Sequence, residues 1–162
     1  MPGVTDVEIV RLGPDEWEAF RDLRLRALRE APHAFGSRYD DWVQAPEDKW
    51  RARLAAVPLN LVARRGDELL GMASGVLEGD DEAELISMWV DPVGRGSGVA
   101  AALVGAVVEW ATAAGRTTYL MVRSDNARAI AAYARAGFVD LGIPPDQDPD
   151  EPPENKMVHR SD

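Results

Sequence analysis

The sequence of 162 residues contains no cysteine and only two histidines, His33 and His159, which lie far apart in the chain. The absence of cysteine excludes disulfide bonds, thiolate nucleophiles and zinc sites built on cysteine. Two distant histidines do not predict a histidine-rich metal site, so we expect no bound metal. A general acid or base is therefore expected among the Glu, Asp and Tyr side chains.

Basic residues are scarce relative to acidic ones. The 18 Lys and Arg residues face 28 Asp and Glu residues, which gives a formal net charge of −10 at pH 7. A general nucleic-acid binder needs a basic surface to replace the counterions of the phosphates, and anionic membranes attract basic segments. We therefore expect neither nucleic acid nor a membrane surface as a partner.

Long hydrophobic runs are also missing. The most apolar stretch, 99–114, is interrupted by Glu109 and is too short to cross a bilayer. Residues 1–6 contain neither a basic segment nor an apolar run, so they do not match a signal peptide. These observations predict a cytoplasmic protein.

Length and patterning predict a single domain, 1–162, in which helices flank a mixed sheet. Alternating apolar and polar residues predict strands, and apolar residues at helical spacing predict helices, with Gly and Pro between them. The predicted strands are 7–12, 59–65, 69–77, 83–90, 117–122, 138–143 and 156–160, and the predicted helices are about 14–30, 46–56, 97–114 and 127–136. This order belongs to the α/β (α+β) class.

A glycine-rich turn, GRGSGVA at residues 94–100, joins a predicted strand to the longest predicted helix. The first backbone amides of a helix lack intrahelical partners, and the helix dipole favours an anion there. Glycines let the backbone approach a phosphate closely, and Arg95 adds a positive charge. The turn therefore predicts a pyrophosphate site, although such a turn can also serve only to reverse the chain.

Two other phosphate-binding patterns fit this turn less well. A P-loop needs a lysine that the sequence lacks here. The dinucleotide fingerprint G-x-G-x-x-G/A is matched by Gly96, Gly98 and Ala101, but it also wants an acidic residue about 20 positions further on. Residues 120–122 (LMV) stand there instead. A dinucleotide-binding dehydrogenase therefore remains only a minor alternative.

A third pattern, [QR]-x-x-G-x-[GA], is matched by Arg95, Gly98 and Ala100. The stretch SDNARAIAAYARAGF follows it at residues 124–138. With these two motifs at their spacing, residues 84–138 resemble the acetyl-CoA-binding half of the GNAT superfamily of N-acetyltransferases.

The resemblance implies a GNAT-like fold, which is a mixed, mostly antiparallel twisted sheet of six or seven strands flanked by about four helices. It implies acetyl-CoA as the co-substrate and a primary amine as the acceptor. It further implies an acceptor-side part at residues 1–80, a cofactor-binding core at 82–138, and C-terminal strands with an acidic loop at 139–162.

Ten positions match the family's acetyl-CoA-binding residues. The backbone at the end of the fourth strand would hold the pantetheine arm and thioester, and the turn would hold the pyrophosphate. Asn126 matches a polar residue near the pantetheine or the adenosine end, and it is also a candidate N-cap of the next helix. The ten are Met88, Trp89, Val90, Arg95, Gly96, Ser97, Gly98, Val99, Ala100 and Asn126.

Tyr133 matches the family's usual general acid, because a phenol near the sulfur can donate a proton to the departing thiolate. The alternative is a core tyrosine at helical spacing with Ile130. Since cysteine is absent, a covalent acetyl-cysteine route is excluded, and the amine is expected to attack the thioester directly in a ternary complex. The Val90 amide is the candidate that polarises the thioester carbonyl.

Glu84 lies on the fourth predicted strand, where some members of the family carry a carboxylate that acts as the base. The alternative is an acidic residue at a strand edge beside a turn. Because side chains alternate along a strand, we expect Glu84, Ile86, Met88 and Val90 on one face. Ser87 is expected on the opposite face, as a weaker candidate.

The acceptor side is the least specified. Between residues 140 and 154 there are six acidic residues and no basic one, which would attract a cationic amine unless the segment is only a solvated loop. Phe35 and Tyr39, near Trp42, are predicted to line the acceptor cleft or to belong to the core. We expect a monomer or a homodimer. The alternative to catalysis is a GNAT-like sensor or scaffold that binds acyl-CoA without turnover.

Overall fold

The computed structural model describes residues 7–30 and 39–160. The strands in these ranges are β1 (Glu8–Arg11), β2 (Leu59–Arg65), β3 (Glu68–Glu78), β4 (Glu82–Val90), β5 (Thr117–Arg123), β6 (Phe138–Asp140) and β7 (Glu154–His159). The α-helices are α1 (Trp17–Glu30), α2 (Tyr39–Trp42), α3 (Glu47–Ala56), α4 (Val99–Ala113) and α5 (Ala127–Arg135). No helix in the described ranges is long and apolar enough to cross a membrane.

The seven strands form one sheet in the order β1-β2-β3-β4-β5-β7-β6. All neighbouring pairs are antiparallel except β4 and β5, which are parallel. The predicted mixed, mostly antiparallel sheet is therefore confirmed, and so is its flanking by helices. The single-turn helix α2 and a short 3-10 helix at Pro92–Gly94 were not predicted from the sequence pattern.

Several predicted boundaries differ from the structure by one to three residues, and two of them lie next to a glycine with a left-handed backbone. Helix α4 begins at Val99 and not at 97, because Gly98 precedes it with φ +85°. Strand β6 ends at Asp140 and not at 143, because Gly142 has φ +80°. A strand needs extended backbone and a helix needs negative φ, so neither element continues through such a residue.

The core lies on both faces of the sheet. Helix α4 covers one face, where Val99, Leu103 and Val107 pack against residues of β2, β3, β4, β5, β6 and β7. Helix α5 packs against the margin of this cluster. Helices α1 and α3 cover the other face, where Phe20 and Trp50 pack with residues of β2, β3 and β4. We call these the α4 face and the α1 face.

Strand β4 contains a bulge that overturns the predicted alternation. Ile86 lies opposite Ser74 of β3, but Trp89 lies opposite Met72, so two residues of β4 oppose one of β3. Ser87 in this bulge has φ +55°. An extra residue in one strand shifts every later side chain to the other face. Glu84 and Ile86 therefore lie on the α1 face, whereas Met88 and Val90 lie on the α4 face. The expectation that these four share one face is wrong.

The sequence predicts Ser87 on the face opposite to Glu84, and the structure shows both on the same face. Its hydroxyl contacts Arg24 of α1 and Arg53 of α3, so it shares the α1 face with Glu84. Trp89 packs in the same cluster of the α1 face. The bulge thus places Ser87 and Glu84 on one face and turns Met88 towards the other.

Strands β4 and β5 separate soon after they begin. Their pairing covers only Glu82, Ala83 and Glu84 opposite Thr117, Thr118 and Tyr119. The remaining residues of both strands have no partner across this pair, so the sheet is open between them. An opening in the middle of a sheet gives access from one face to the other, and it positions the site described next.

Candidate active site

The glycine-rich turn lies between β4 and α4, as the sequence predicts. Asp91 Oδ1 accepts a hydrogen bond from Val93 N–H at 3.0 Å, which supports a short 3-10 helix at Pro92–Gly94. Gly96 then has φ +83° and Gly98 φ +85°, values that residues with side chains rarely adopt. A Cβ at either glycine would meet no other atom within 4 Å, so the backbone of the turn is openly accessible.

The turn has the donors that a pyrophosphate needs. Gly98 is the N-cap of α4 and supplies no side-chain cap, so the first amides of the helix are available to a ligand. A cavity of about 430 Å³ lies beside them and includes Gly96, Gly98 and Ala100 in its wall. The Ser97 hydroxyl donates to the Gly94 carbonyl, and the Val99 side chain is buried in the core. These two residues therefore shape the turn and leave ligand contacts to the backbone.

Arg95 lines the same cavity, and its side chain is held in place by two hydrogen bonds to the protein. Its Nε donates to the Val90 carbonyl at 3.0 Å, and its guanidinium donates to Glu30 Oε1 at 3.0 Å. Glu30 is a residue that sequence reasoning missed. As the last residue of α1 it is distant in sequence, and no local pattern relates it to the turn.

The three residues at the end of β4 point in different directions. Met88 lines a cavity of about 340 Å³ between α4 and α5. Trp89 lies on the α1 face, where its Nε1 donates to Glu30 Oε2 at 2.9 Å. Val90 packs in the core of the α4 face and borders the cavity beside the turn. Because the Trp89 side chain lies on the α1 face, Trp89 can contact a ligand on the α4 face through its backbone alone.

Asn126 is the N-cap of α5. Its Oδ1 accepts a hydrogen bond from Ala129 N–H at 3.1 Å, which confirms the capping role that the sequence suggested. The same residue lines the cavity beside the glycine-rich turn. A capping bond uses one oxygen acceptor and leaves the amide NH₂ of Asn126 available to a ligand.

Tyr133 lies on the side of α5 that faces the core. Its ring packs edge-on against Phe138, with 5.9 Å between the ring centres. Burial raises the pKa of Tyr133 to about 12. The phenol therefore keeps its proton throughout the neutral range and can donate it.

Glu84 is partly buried on the α1 face. The Tyr119 hydroxyl donates to Glu84 Oε1 at 3.4 Å. Burial raises the pKa of Glu84, and the charges of Glu78 and Glu154 add to this effect. The bond from Tyr119 and the charge of Lys156 act in the opposite direction. A carboxylate with a raised pKa is a better proton acceptor than an exposed one.

One cavity of about 400 Å³ connects the two faces of the sheet through the opening between β4 and β5. Its wall includes Glu84 and Ser87 from the α1 face and Met88 and Tyr133 from the α4 face. Met88 and Tyr133 also line the cavity between α4 and α5. That cavity in turn shares Ala100 with the cavity beside the glycine-rich turn. The structure therefore brings Glu84 and Tyr133 to a common space.

Two arginines of the helices meet at the bulge of β4. Arg24 of α1 donates to Ser87 Oγ at 3.1 Å, and Arg53 of α3 donates to the same oxygen at 3.2 Å. Arg53 also donates to Asn60 Oδ1 at 3.0 Å. Arg24 is only 8% exposed, yet it contributes to the wall of the cavity that contains Glu84. Sequence reasoning missed both arginines.

A signal for Arg24 was present in the helical pattern. The residues of α1 that point to the core recur at helical spacing, and Arg24 occupies one of these positions. A charged residue on a buried stripe needs a partner or a function, and it marks a candidate site. The buried stripe consists of Phe20, Leu23, Arg24, Ala27 and Leu28.

The predicted acceptor-side residues are only partly placed. Phe35 lies outside the described residues. Tyr39 lies at the start of α2, where its hydroxyl and its ring contact Arg29, and it does not line the cavity that contains Glu84. Trp42 packs against Trp50, with ring centres 4.8 Å apart, as a core residue would.

The acidic segment 140–154 reaches the cavity at one end. Glu154, the first residue of β7, lines the cavity together with Glu84. Asp140 instead accepts hydrogen bonds from the Asn155 side chain. Nowhere in residues 7–30 and 39–160 do three His, Asp or Glu side chains come together in a group that could hold a metal ion.

A family model described as the acetyltransferase (GNAT) family matches residues 17–138. The chain belongs to the GNAT family of acetyltransferases. An uncharacterised protein of Mycobacterium leprae is 38% identical over 86 residues, which are 51% of this chain. The match spans only 23% of that curated relative's length.

Solved GNAT structures share the fold. An acetyltransferase of the GNAT family from Streptococcus pneumoniae superposes with a TM-score of 0.77 at 16% identity, covering 96% of this chain and 100% of that one. The PaiA N-acetyltransferase of Thermoplasma acidophilum, solved in complex with coenzyme A, gives 0.73 at 16% identity, covering 96% and 99%. At these identities the similarity shows the fold alone.

Proposed function

We propose that this GNAT protein is an N-acetyltransferase that moves an acetyl group from acetyl-CoA to a primary amine by direct attack in a ternary complex. The observation that carries the proposal is the common cavity through the opened sheet. It places a protonated phenol, Tyr133, and a partly buried carboxylate, Glu84, at one space that connects to the glycine-rich turn. We also propose that residues 1–162 form one acetyltransferase domain.

Acetyl-CoA supplies the activated acetyl group, as a thioester. In this proposal the turn at 95–100 and the first amides of α4 bind its pyrophosphate, and Arg95 offsets part of the phosphate charge. The backbone of Met88, Trp89 and Val90 holds the pantetheine arm and the thioester, with the Val90 amide polarising the carbonyl. Asn126 contributes its amide NH₂ at the α5 side of the same cleft.

Glu84 is the proposed base. An alkylammonium is mostly protonated at pH 7, so a proton must leave before the nitrogen can attack. Glu84 accepts it, directly or through water, on the α1 face. The bulge at Ser87 supports this assignment, because it leaves Glu84 on the face opposite to Met88 and the turn. The acceptor and the cofactor would thus approach the opening from different sides.

Tyr133 is the proposed acid. When the thioester breaks, the sulfur leaves as a thiolate and takes up a proton. Tyr133 lies on the α4 face, on the same side as the turn, and its phenol is protonated at neutral pH. In this proposal Tyr133 donates to the sulfur and Glu84 accepts from the nitrogen, so the two proton transfers occur on opposite sides of the sheet.

Thiol release from acetyl-CoA in the presence of a panel of primary amines tests the proposal, with coenzyme A binding measured in parallel by calorimetry. We expect at least one class of amine to raise thiol release above the rate without acceptor. Coenzyme A binding with no amine-dependent release across the panel would replace this proposal with an acyl-CoA-binding sensor or scaffold. Absence of coenzyme A binding would contradict both.

A further inference from the structure

Ser87 accepts from two guanidiniums at once, which fixes the direction of its own proton. A hydroxyl has two acceptor lone pairs and one donor. Arg24 and Arg53 use the acceptor positions, at 3.1 and 3.2 Å. The O–H of Ser87 must therefore be donated elsewhere. Because Ser87 lines the cavity that contains Glu84, this donor is available to a molecule in that cavity.

The surroundings of these groups are electropositive. Burial lowers the pKa of Arg24, and burial together with the charge of Arg24 lowers the pKa of Arg53 to about 10. A guanidinium keeps its charge at neutral pH in proteins, so both side chains are cations. The described contacts of Arg53 are neutral, namely Asn60 Oδ1, Ser87 Oγ and, at 5.0 Å, the ring of Phe20. Two like charges that share one oxygen repel each other, and an anion beside them would relieve this repulsion.

The cavity that Arg24 lines also contains negatively charged groups. Glu84 and Glu154 line it together with Arg24 and Ser87. Glu84 and Ser87 lie three residues apart on β4, which corresponds to roughly 10 Å of extended strand. The cavity of about 400 Å³ thus has a carboxylate region and a cationic region within the span of a small molecule.

We propose that Arg24 and Ser87 form a carboxylate-binding subsite, and that the acceptor is an amino acid or a related amine that carries a carboxylate. This inference rests on the proposed function, because it names the acceptor class of the same site. The acceptor's carboxylate accepts from the Ser87 hydroxyl and lies against the Arg24 charge, while its amine lies towards Glu84. Arg53 is a positioning residue, which acts by holding the Ser87 oxygen.

The direct test compares three matched series of acceptors with the wild-type protein and saturating acetyl-CoA. The series are the standard amino acids, their primary amides, and the corresponding amines without the carboxyl group. We expect kcat/KM to be about ten-fold or more higher for the best amino acid than for its amide, as hydrogen bonds to a charged group predict. Equal values across the three series would overturn the inference and leave the proposed function intact.

A binding measurement keeps the two proposals separate. If no amine gives thiol release, calorimetry with the coenzyme A-loaded protein measures whether the same amino acids bind. Binding of an amino acid, but not of its amide, would support the subsite while contradicting the transferase. Absence of binding by every amino acid would overturn the subsite.

Two variants then locate the effect. Ser87→Gly removes the hydroxyl but accepts the positive φ, and Arg24→Lys keeps a charge but loses the guanidinium geometry. Each is expected to raise KM for the amino acid about ten-fold, with little change for its amide. Arg21→Gln is the matched control on α1, because Arg21 contacts the Val43 carbonyl outside the cavity. Equal loss with both acceptors would show a merely structural role.

Discussion

Glu30 binds Trp89 and Arg95 at the same time, one with each carboxylate oxygen. Oε2 accepts from Trp89 Nε1 at 2.9 Å, and Oε1 accepts from the Arg95 guanidinium at 3.0 Å. The bond from Trp89 and the contact with Arg95 hold the pKa of Glu30 below its usual value, against a smaller effect of burial. The end of α1 is therefore fastened both to β4 and to the turn proposed to bind pyrophosphate.

This relationship predicts that Glu30→Gln tightens coenzyme A binding. The carboxylate neutralises Arg95 in part, and it would repel a nearby pyrophosphate. Arg95 keeps its position without that charge, because its Nε also donates to the Val90 carbonyl. Surface ion pairs are worth about 0.2–1 kcal/mol, so we expect a gain in affinity of roughly 1.4- to five-fold at low salt. Calorimetry at two ionic strengths measures it.

Glu8→Gln provides the control for this substitution. Glu8 forms an ion pair with Arg64 at 3.0 Å on β1 and β2, away from the turn. Arg64 is about as exposed as Arg95, and Glu8 is more exposed than Glu30. Glu8→Gln removes the same charge from the protein as Glu30→Gln does. An equal gain in coenzyme A affinity in both variants would therefore show that the gain comes from net charge. A weaker affinity in Glu30→Gln would show that the carboxylate is needed to position Arg95.

Tyr133→Phe is expected to lower kcat by about 10²–10⁴-fold, the usual contribution of a general acid. The ring still packs on Phe138, so coenzyme A affinity and the unfolding temperature should change little. Steady-state thiol release and calorimetry on the same preparation separate the two effects. Full activity of this variant across the pH range would remove the assignment of Tyr133 as the acid.

The pH dependence of kcat/KM should reflect Glu84. Burial raises its pKa, so the rate should fall on acidification at a higher pH than an ordinary glutamate would give, because the protonated carboxyl cannot accept a proton. Glu84→Gln should lower kcat/KM by about 10²-fold and abolish this dependence. An unchanged pH profile in Glu84→Gln would show that the fall in rate on acidification comes from protonation of the amine acceptor and not from Glu84.

Tyr119→Phe gives a finer test of the same group. The bond from Tyr119 lowers the pKa of Glu84, and its removal should raise that pKa further. The acid limb of the profile is therefore expected to move to higher pH, with the plateau rate retained. A shift to lower pH, or none, would contradict the role given to this hydrogen bond.

Two glycines should respond to alanine with opposite signs. A Cβ on Gly71 would lie 2.9 Å from the Trp89 carbonyl oxygen and 3.1 Å from Leu103, so Gly71→Ala should destabilise the protein by about 1–3 kcal/mol. Gly105 lies exposed within α4 with nothing near its missing Cβ, so Gly105→Ala should stabilise it by about 0.5–1 kcal/mol. Urea unfolding measures both. A stabilised Gly71→Ala would show that β3 and β4 are less closely packed than described.

Local chemistry made much of the fold predictable. Strands and helices followed from apolar periodicity, and the turn followed from its glycines together with a strand and a helix on either side. The four longer helices and all seven strands were located, with ends misplaced where Gly98 and Gly142 have positive φ. The positions proposed for the cofactor followed from motifs of consecutive residues, which a sequence shows directly.

The bulge at Ser87 was not predictable, because it depends on how β4 pairs with β3. The same two-residue alternation that predicts a strand places Glu84 and Met88 on one face, and only the observed register separates them. The contacts of Glu30 with Arg95, and of Arg24 and Arg53 with Ser87, join residues 34 to 65 positions apart. No local pattern encodes such pairs.

The sequence by itself determined the class of fold, the glycine-rich turn and the absence of cysteine, because each depends on composition or on neighbouring residues. The tertiary structure decided which side chains share a space. The opening between β4 and β5 brings Glu84 and Tyr133 to one cavity, and the bulge of β4 turns Ser87 towards the buried Arg24 and the half-buried Arg53. The physical reason is that hydrogen bonds, burial and charge interactions depend on the distances between side chains in space. Those distances are set only when the chain folds.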